Sequence, residues 1–448
     1  PLPDSTNLVY RAALGNPLGL VPGDLVLGYE GVPWKRLYRQ LLDAGLPVSY
    51  YNSAAGSTPE SMTYFYLMAV GHNWGLFDTI DVVKYSSGDT LHLPTTLLDT
   101  TVQTVWESDQ VPVAGVSMPE APAQPGHAVV SWGVVQGRNI GYIYVWDWAS
   151  GQTPGLFRSA VDDLLGIRRV EGLVIDFRMN WGGSTANANS GFFPLFNFDP
   201  TLNLLFANRT NPNDYMGFTL TAPTAWQFSP GPKPYDRPIA VLIGPGCLSA
   251  GDHNASRIRF HPMARLFGKP TNGAFVTGTF GAVNFSDFWR YSFWTGTVYS
   301  NVPGEGYLAH KGVQPDEGVW LTRAGVANGE DAVVKRALAW MDSLSYAHDV
   351  MVSRDTVWNL ADSIRVTAKV ENPGNHWLVV SAIVTSAQGS AVDSVVLIRT
   401  PGDSLWGAFI RAPGANGRYN ISVRTSDVTS GTYRRLPNVA WFIAIVTD

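Results

Sequence analysis

One serine of this chain occupies a position suited to a nucleophile. Ser249 follows an apolar run at 241–243 and a short turn that contains glycine and proline, and it opens a stretch with helical character. A hydroxyl at such a strand-to-helix turn lies at the carboxyl edge of a sheet, near the positive end of a helix dipole, which suits acyl transfer. A serine before a helix is more often only an N-cap, so its position alone does not assign the chemistry.

A second loop supplies groups that stabilise negative charge. Gly182 and Gly183 follow another apolar strand, and glycine accepts positive φ and leaves its N–H exposed. Such N–H groups, together with that of Ala250, can cradle an oxyanion. The plainer alternative for the two glycines is a flexible turn. Just before them, Asp176 and Arg178 are placed to pair and to hold the shape of the loop.

The composition excludes several classes of protein. Hydrophobic residues make up 45% of the 448 residues and charged residues 15%, which is typical of a packed globular chain. A net charge of −5 without a basic stripe argues against a nucleic-acid partner. The sequence contains no run of eighteen apolar residues, so no membrane span is predicted. The single cysteine, Cys247, excludes an internal disulfide and is predicted to be a buried small hydrophobe. The eight histidines lack metal-ligand spacing, so neither a metal nor another cofactor is expected.

Three segments position these residues. Residues 1–128 contain a glycine-rich turn and strand, helices at 34–44 and 57–70, a hairpin signal at 86–89 and a linker at 113–127. Residues 129–345 alternate strands with helices, which predicts a largely parallel, helix-covered sheet. The predicted strands are 140–146, 173–177 and 238–243, and the predicted helices are 155–167, 249–266 and 332–344. Residues 346–448 show period-two runs between turns, the pattern of a small antiparallel, immunoglobulin-like β-sandwich.

The middle segment resembles the tail-specific (C-terminal processing) and tricorn-core protease family. The family's D-L-R-x-N-x-G-G loop is matched by Asp176, Arg178, Asn180, Gly182 and Gly183, its S-A-x-E by Ser249, Ala250 and Asp252, its G-E-x-T-x-G by Gly268, Pro270, Thr271 and Gly273, and its G-V-x-P-D by Gly312, Val313, Pro315 and Asp316. The G-L-x-P-G-D pattern that begins at Gly19 resembles the PDZ-like domain of these proteases. These ordered motifs are jointly specific and cover roughly residues 15 to 345.

The resemblance implies an α/β multidomain protein with a PDZ-like α+β N-terminal segment and a ClpP/crotonase-like α/β protease core. The C-terminal sandwich completes the expected fold. The implied function is a serine endopeptidase in which Ser249 forms an acyl-enzyme and the N–H groups of Gly183 and Ala250 bind the oxyanion. The PDZ-like segment would capture an extended peptide or protein substrate. The composition suits an extracellular or periplasmic location, and association into a homo-oligomer is left open.

The sequence departs from the family where the general base should lie. Ala274 occupies the position of the processing-protease lysine, and Ala309 that of the tricorn-like glutamate. His310 is then the candidate base, because imidazole titrates near neutral pH, although a surface histidine is the plainer interpretation. A histidine from a segment upstream of Pro1 is the other expectation. Weaker candidates are His253, Lys269, Lys311 and Glu305.

Two other functions remain open at this point. One is a catalytically impaired homologue that acts as a secreted peptide- or glycan-binding module, and the other is an esterase for small esters. An aromatic cluster either packs in the core, which is the default, or lines a substrate groove. Its members are Phe285, Phe288, Trp289, Tyr291, Phe293 and Trp294.

Overall fold

The computed structural model of the chain describes residues 2, 6–12, 15–44, 57–71, 73–98, 116–117, 129–211, 213–214, 217–286, 290–401 and 404–445. Phe288 and Trp289 of the aromatic cluster lie outside these residues. The predicted linker at 113–127 also lies outside them, apart from residues 116–117, which form a short strand.

The first segment folds as a small antiparallel sheet with two helices. Its elements are β1 (Asn7–Leu8), β2 (Leu25–Tyr29), β3 (Val32–Pro33), α1 (Trp34–Asp43), α2 (Pro59–Gly71), β4 (Thr79–Val83) and β5 (Thr90–Pro94). The sheet order is β1-β2-β4-β5, and β3 also pairs with β2. The predicted hairpin is confirmed, since β4 and β5 pair antiparallel across the turn at 86–89. The PDZ-like classification stays a prediction.

The middle segment contains a seven-stranded sheet in the order β17-β13-β12-β9-β8-β7-β6. In chain order its elements are β6 (Val116–Ser117), β7 (Val130–Val135), β8 (Gly141–Val145), α3 (Thr153–Asp162), β9 (Leu173–Asp176), α4 (Asn189–Phe192), β10 (Leu204–Asn208), β11 (Thr219–Thr221), β12 (Ile239–Ile243), α5 (Ala250–Ile258), β13 (Ala264–Gly268), β14 (Val276–Asn284), β15 (Arg290–Ser300), β16 (Gly306–Tyr307), β17 (Glu317–Gly318), α6 (Arg323–Ala327) and α7 (Ala332–Asp342). Strands β8, β9, β12, β13 and β17 are parallel neighbours, as the alternating pattern predicts. Strands β9 and β12 are buried along their whole length, which explains their unbroken apolar sequences.

The prediction of one helix over 249–266 is wrong at its carboxyl end. Helix α5 stops at Ile258, and residues 264–268 form β13 instead. Pro262 lies in the turn between them, and proline cannot continue the hydrogen-bonding pattern of a helix. The returning chain then pairs in parallel with β12 and extends the sheet.

A second sheet of the middle segment is antiparallel. Its order is β11-β10-β15-β14, with β16 paired to β15. Strands β14 and β15 form a long hairpin, and β10 pairs with β15 only from Gly296 to Ser300.

The last segment is all β. Its strands are β18 (Tyr346–Val352), β19 (Thr356–Val357), β20 (Ser363–Glu371), β21 (Leu378–Ser386), β22 (Ala391–Arg399), β23 (Leu405–Arg411), β24 (Gly417–Asp427) and β25 (Thr432–Ala444). They follow one hydrogen-bonded path, β18-β20-β23-β22-β21-β24-β25-β19, and only the β19–β25 pair is parallel. The predicted antiparallel strands are therefore present. The sandwich and immunoglobulin-like classification stays a prediction.

Among the helices of the described residues, none has the length and apolar character needed to cross a lipid bilayer.

Candidate active site

Ser249 lies at a strained backbone position immediately before α5. Its φ of 54° and ψ of −116° lie outside the ordinary regions for a residue with a side chain, and such strain is concentrated at functional sites. The residue occupies the N-cap position of the helix, yet its side chain makes no capping hydrogen bond. The interpretation of Ser249 as only an N-cap therefore fails on geometry, because its hydroxyl accepts no hydrogen bond from the N–H groups at the start of α5.

The glycine loop lies directly against this serine. A Cβ placed on Gly182 would approach the Ser249 Cβ to 2.8 Å and the Leu248 carbonyl oxygen to 2.7 Å. The Leu248 N–H also donates to the Asn180 carbonyl oxygen at 3.0 Å. The structure thus brings together the two loops that the sequence places 67 positions apart, counted from Gly182 to Ser249.

The backbone of Gly183 leaves its N–H available. The Trp148 N–H donates to the Gly182 carbonyl oxygen at 2.6 Å, and the Ser184 N–H donates to the Trp148 carbonyl oxygen at 3.0 Å. These two hydrogen bonds make Trp148 and Gly183 partners in an isolated parallel β-bridge. Because Trp148 uses the neighbours of Gly183 as its partners, the N–H of Gly183 itself points away from Trp148. Gly183 is exposed at a φ of 127°, and a Cβ there would lie 2.2 Å from the Ala149 nitrogen, so only glycine fits.

A buried ion-pair network supports the start of the glycine loop. Arg178 contacts Asp176 through several hydrogen bonds, the shortest from Nη2 at 2.7 Å, and its Nη1 lies 2.8 Å from Asp331 Oδ2. Asp331 also caps α7 through the N–H groups of Val333 and Val334. The predicted pairing of Asp176 with Arg178 is observed. All three charged groups of this network are buried, so removal of the arginine would leave two buried carboxylates without a compensating charge.

Asp252 connects the serine to a third loop. The carboxyl accepts from the N–H of Gly273 at 2.8 Å and of Ala274 at 3.0 Å, and also from the backbone N–H of Ser249 and the Thr271 hydroxyl. Burial raises the pKa of Asp252 to about 7, although these four donors oppose the rise. The sequence motif includes Asp252, but sequence reasoning missed this bridging role, which depends on tertiary contact.

His310 is brought near this third loop through its backbone. Its N–H donates to the Gly273 carbonyl oxygen at 3.1 Å, and the residue has a φ of 66°. The side chain is exposed, and within the described residues no hydrogen bond joins its ring to Ser249. The structure therefore places His310 beside the loop that contacts Asp252, without a preformed pair between the imidazole and the serine.

Two weaker candidates for the general base, His253 and Glu305, lie in different surroundings. His253 is buried, its Nδ1 lies 2.9 Å from Thr185 Oγ1, and burial lowers its pKa to about 3. For Glu305, burial alone raises the pKa, but hydrogen bonds from Arg259 and from Ser300 outweigh it, so that the net pKa is lowered. Both residues are structural groups in this environment.

The two lysine candidates for the general base, Lys311 and Lys269, differ in exposure and in their contacts. Lys311 is exposed and its Nζ donates to the Glu305 carbonyl oxygen at 2.6 Å. Lys269 is half-buried, with its Nζ 5.0 Å from the centre of the Trp320 ring, and burial lowers its pKa. Cys247 is fully buried, which raises the pKa of its thiol and removes it as a nucleophile.

The residues just before helix α2, and the helix itself, lie against the same loops, a contact that the sequence did not indicate. The Ser57 N–H donates to the Asn272 carbonyl oxygen at 3.2 Å, and the Thr58 hydroxyl donates to the Thr271 carbonyl oxygen at 3.2 Å. The rings of Phe65 and Trp181 meet edge to face at 6.0 Å. The first segment therefore forms part of the wall around the candidate site. Among the described residues, no cluster of three His, Cys, Asp or Glu side chains is placed to hold a metal ion.

Comparison with known proteins identifies the middle segment. Residues 139–319 match the family model of peptidase family S41. This segment belongs to peptidase family S41. The resemblance inferred from the four motifs is confirmed, and the matched residues contain the S41 loops of Gly182 and Ser249. No curated protein matches the chain in sequence.

Three solved structures are also similar to this chain. A protein of Parabacteroides merdae described as a peptidase is 16% identical, with a TM-score of 0.41 over 70% of this chain and 90% of its own. Mature CPAF in complex with lactacystin is 12% identical, with a TM-score of 0.47 over 72% and 77%. The photosystem II D1 C-terminal processing protease is 18% identical, with a TM-score of 0.35 over 73% and 74%.

Proposed function

We propose that this chain is a serine endopeptidase in which Ser249 attacks the carbonyl carbon of a peptide bond. The observation that carries the proposal is the strained Ser249 backbone, whose hydroxyl caps nothing and which lies against the Gly182–Gly183 loop. The membership of residues 139–319 in family S41 supports a peptide or protein substrate.

The geometry supports defined roles for two backbone N–H groups. The N–H of Gly183 points away from Trp148, and the N–H of Ala250 lies at the first position of α5, where helical N–H groups have no partner within the helix. Ala250 N would lie 3.2 Å from a Cβ on Gly182, so the two loops are close enough to serve one oxyanion. Donors fixed in this way stabilise the tetrahedral intermediate without reorganisation.

For the general base we propose His310. A neutral imidazole nitrogen can accept the proton of the Ser249 hydroxyl and return it to the leaving amine. Catalytic hydrogen bonds often tighten only when substrate binds, and the exposed His310 side chain has room to turn. Lys269 is the competing candidate, because burial lowers its pKa toward the range of a working base.

A fluorophosphonate probe tests the nucleophile. We expect the full chain to be labelled at Ser249, and hydrolysis of unfolded casein to fall at least about 10³-fold in Ser249→Ala. Ser390→Ala, at an exposed serine of the last segment, is the matched control and should retain both properties. Absence of labelling across pH 5 to 9 would instead favour a binding module that has lost catalysis.

A second pair of variants tests the base. His310→Gln should lower kcat/KM by roughly 10²–10⁴-fold and remove the acidic limb of the pH profile, whereas Lys269→Met should leave that limb in place. If Lys269→Met causes the loss and His310→Gln does not, the assignment of His310 is wrong and the nucleophile assignment is unaffected.

A further inference from the structure

Helix α5, which begins directly after Ser249, also contacts the chain just beyond the glycine loop. His253 and Arg257 are four residues apart on this helix, so their side chains share one face. Both contact Thr185, which follows Gly183 by two positions. His253 Nδ1 lies 2.9 Å from Thr185 Oγ1, and Arg257 Nη1 donates to the Thr185 carbonyl oxygen at 3.0 Å. The helix that follows the proposed nucleophile is therefore joined to the far side of the glycine loop.

Arg257 is a fully buried arginine that donates its hydrogen bonds to neutral groups. Besides Thr185, its guanidinium contacts Asn254 Oδ1 at 2.8 Å, Asn189 Oδ1 at 2.5 Å and the Trp226 carbonyl oxygen at 3.0 Å. Burial lowers the pKa of Arg257 to about 9, which expresses the unfavourable environment for its charge. The planar fork of N–H donors joins α5, the chain at 185–189 and the turn at 224–226 at one point, which an apolar side chain could not do.

His253 makes the second contact as a neutral ring. Its side chain is 3% exposed, and burial lowers its pKa to about 3. The imidazole therefore stays uncharged between about pH 5 and pH 9, and it is too weak a base to take the proton of Ser249. The ring packs against Trp226 and Phe275, with ring centres 4.5 Å and 5.5 Å away, which fixes its orientation toward Thr185.

These contacts bear on the spacing of the two proposed oxyanion donors. The Gly183 N–H belongs to the glycine loop, whereas the Ala250 N–H belongs to α5. Trp148 holds the loop on one side through the neighbours of Gly183, and Thr185 attaches it to α5 on the other. A displacement of about 1 Å at a reacting centre can lower a rate about 100-fold, so the attachment of the loop to the helix affects catalysis.

We propose that His253 and Arg257 are positioning residues that set the distance between the Gly183 and Ala250 N–H groups by holding Thr185 against α5. The inference rests on the proposed function, because these N–H groups act as oxyanion donors only in that reaction. Both side chains are buried and act through Thr185, without contact to the substrate. Loosening this attachment should lower kcat and leave KM unchanged, because the oxyanion develops only after the substrate has bound.

Hydrolysis of unfolded casein by variants of the full chain tests these roles. Thr185→Val removes the hydroxyl that His253 contacts, and we expect kcat to fall at least about 10-fold while KM stays within about two-fold of wild type. Thr185→Ser keeps the hydroxyl and should restore kcat to within about three-fold of wild type. Arg257→Leu should lower kcat at least about 100-fold. The pH profile of Thr185→Val should keep its wild-type shape, since His253 is not the base.

Ile258→Ala is the matched control, because Ile258 is fully buried on another face of α5. It should lower the urea midpoint without a comparable loss of kcat. Amide hydrogen exchange of residues 182–188 supplies a measurement that does not depend on activity. Exchange should be faster than wild type in Thr185→Val and Arg257→Leu, and close to wild type in Ile258→Ala. If Arg257→Leu does not fold, Thr185→Val decides the question by itself.

Two results would overturn the inference and leave the proposed function intact. One is an active wild-type chain whose Thr185→Val variant keeps wild-type kcat or wild-type exchange. The other is a loss of kcat in Thr185→Val that Ile258→Ala reproduces, which would make the contact a matter of stability alone. A wild-type chain that neither hydrolyses casein nor reacts with the fluorophosphonate would contradict the proposed function, and the positioning roles with it.

Discussion

Replacement of Asp252 by asparagine should change the stability of the protein in opposite directions at low and high pH. The carboxyl is fully buried, and its pKa is raised to about 7 mainly by that burial. In the unfolded chain it loses its proton near pH 4, but in the folded chain it keeps the proton until near pH 7. The folded state therefore loses stability as pH rises from about 4 to about 7, by roughly 4 kcal/mol for a shift of about three pH units.

Asparagine at position 252 removes this pH-dependent loss of stability and adds a loss that does not depend on pH. Asp252 Oδ1 accepts from Gly273 and Oδ2 accepts from Ala274, whereas an amide offers only one oxygen. One buried N–H would then lack an acceptor, at a cost of about 1–3 kcal/mol. We therefore expect Asp252→Asn to be less stable than wild type at pH 4.5 and more stable at pH 8.5, with the difference changing by about 3 kcal/mol.

Urea unfolding of both proteins at the two pH values measures this difference. Asp393→Asn, at an exposed carboxylate, is the control and should change stability by less than about 0.5 kcal/mol at either pH. A stability change of equal sign and size at pH 4.5 and 8.5 would show that Asp252 is not held neutral by burial. Peptidase activity of Asp252→Asn should fall at both pH values, because the carboxyl also accepts from the Ser249 N–H.

Other predictions follow from the same loops. Gly182→Ala should reduce casein hydrolysis at least about 100-fold although Ser249 is unchanged. The new methyl would lie 2.8 Å from the Ser249 Cβ, and the backbone of residue 182 has a φ of 84°, which strains any side chain. Measurement of kcat and KM tests this effect, and a near-normal kcat would contradict it. Asp331→Ala should lower the free energy of unfolding by about 2–4 kcal/mol, because it removes one charged hydrogen bond to the buried Arg178 and the cap of α7, while Asp176 still pairs with the arginine. Calorimetry measures the loss, and a change below about 1 kcal/mol would refute it. Cys247 should resist iodoacetamide at pH 8 until urea unfolds the chain, because burial raises the pKa of its thiol. Mass spectrometry detects the adduct, and rapid labelling of the folded protein would refute this expectation.

Local patterns were sufficient to locate the Ser249 loop and the glycine loop. Each follows a short, fully buried strand, β12 and β9, and unbroken apolar runs of this kind are typical of parallel sheets. Since the carboxyl ends of parallel neighbours share one sheet edge, the closeness of Gly182 and Ser249 followed from the order of the elements.

What the sequence did not reveal depends on tertiary contact. The expectation that the aromatic cluster packs in the core is wrong for its described members, which are 39% to 72% exposed. An aromatic strand looks the same in sequence whether another layer covers it or solvent surrounds it. Similarly, the cap that Asp331 provides for α7 is a local contact, whereas its ion pair with Arg178 joins residues 153 positions apart. No local rule links two such distant side chains.

That distance has a consequence for how the protein is made. A ribosome releases Arg178 long before it releases Asp331, so the growing chain carries an arginine whose second carboxylate does not yet exist. The Arg178–Asp331 ion pair, which supports the start of the glycine loop, can therefore form only after the whole S41-matching segment, residues 139–319, has been synthesised.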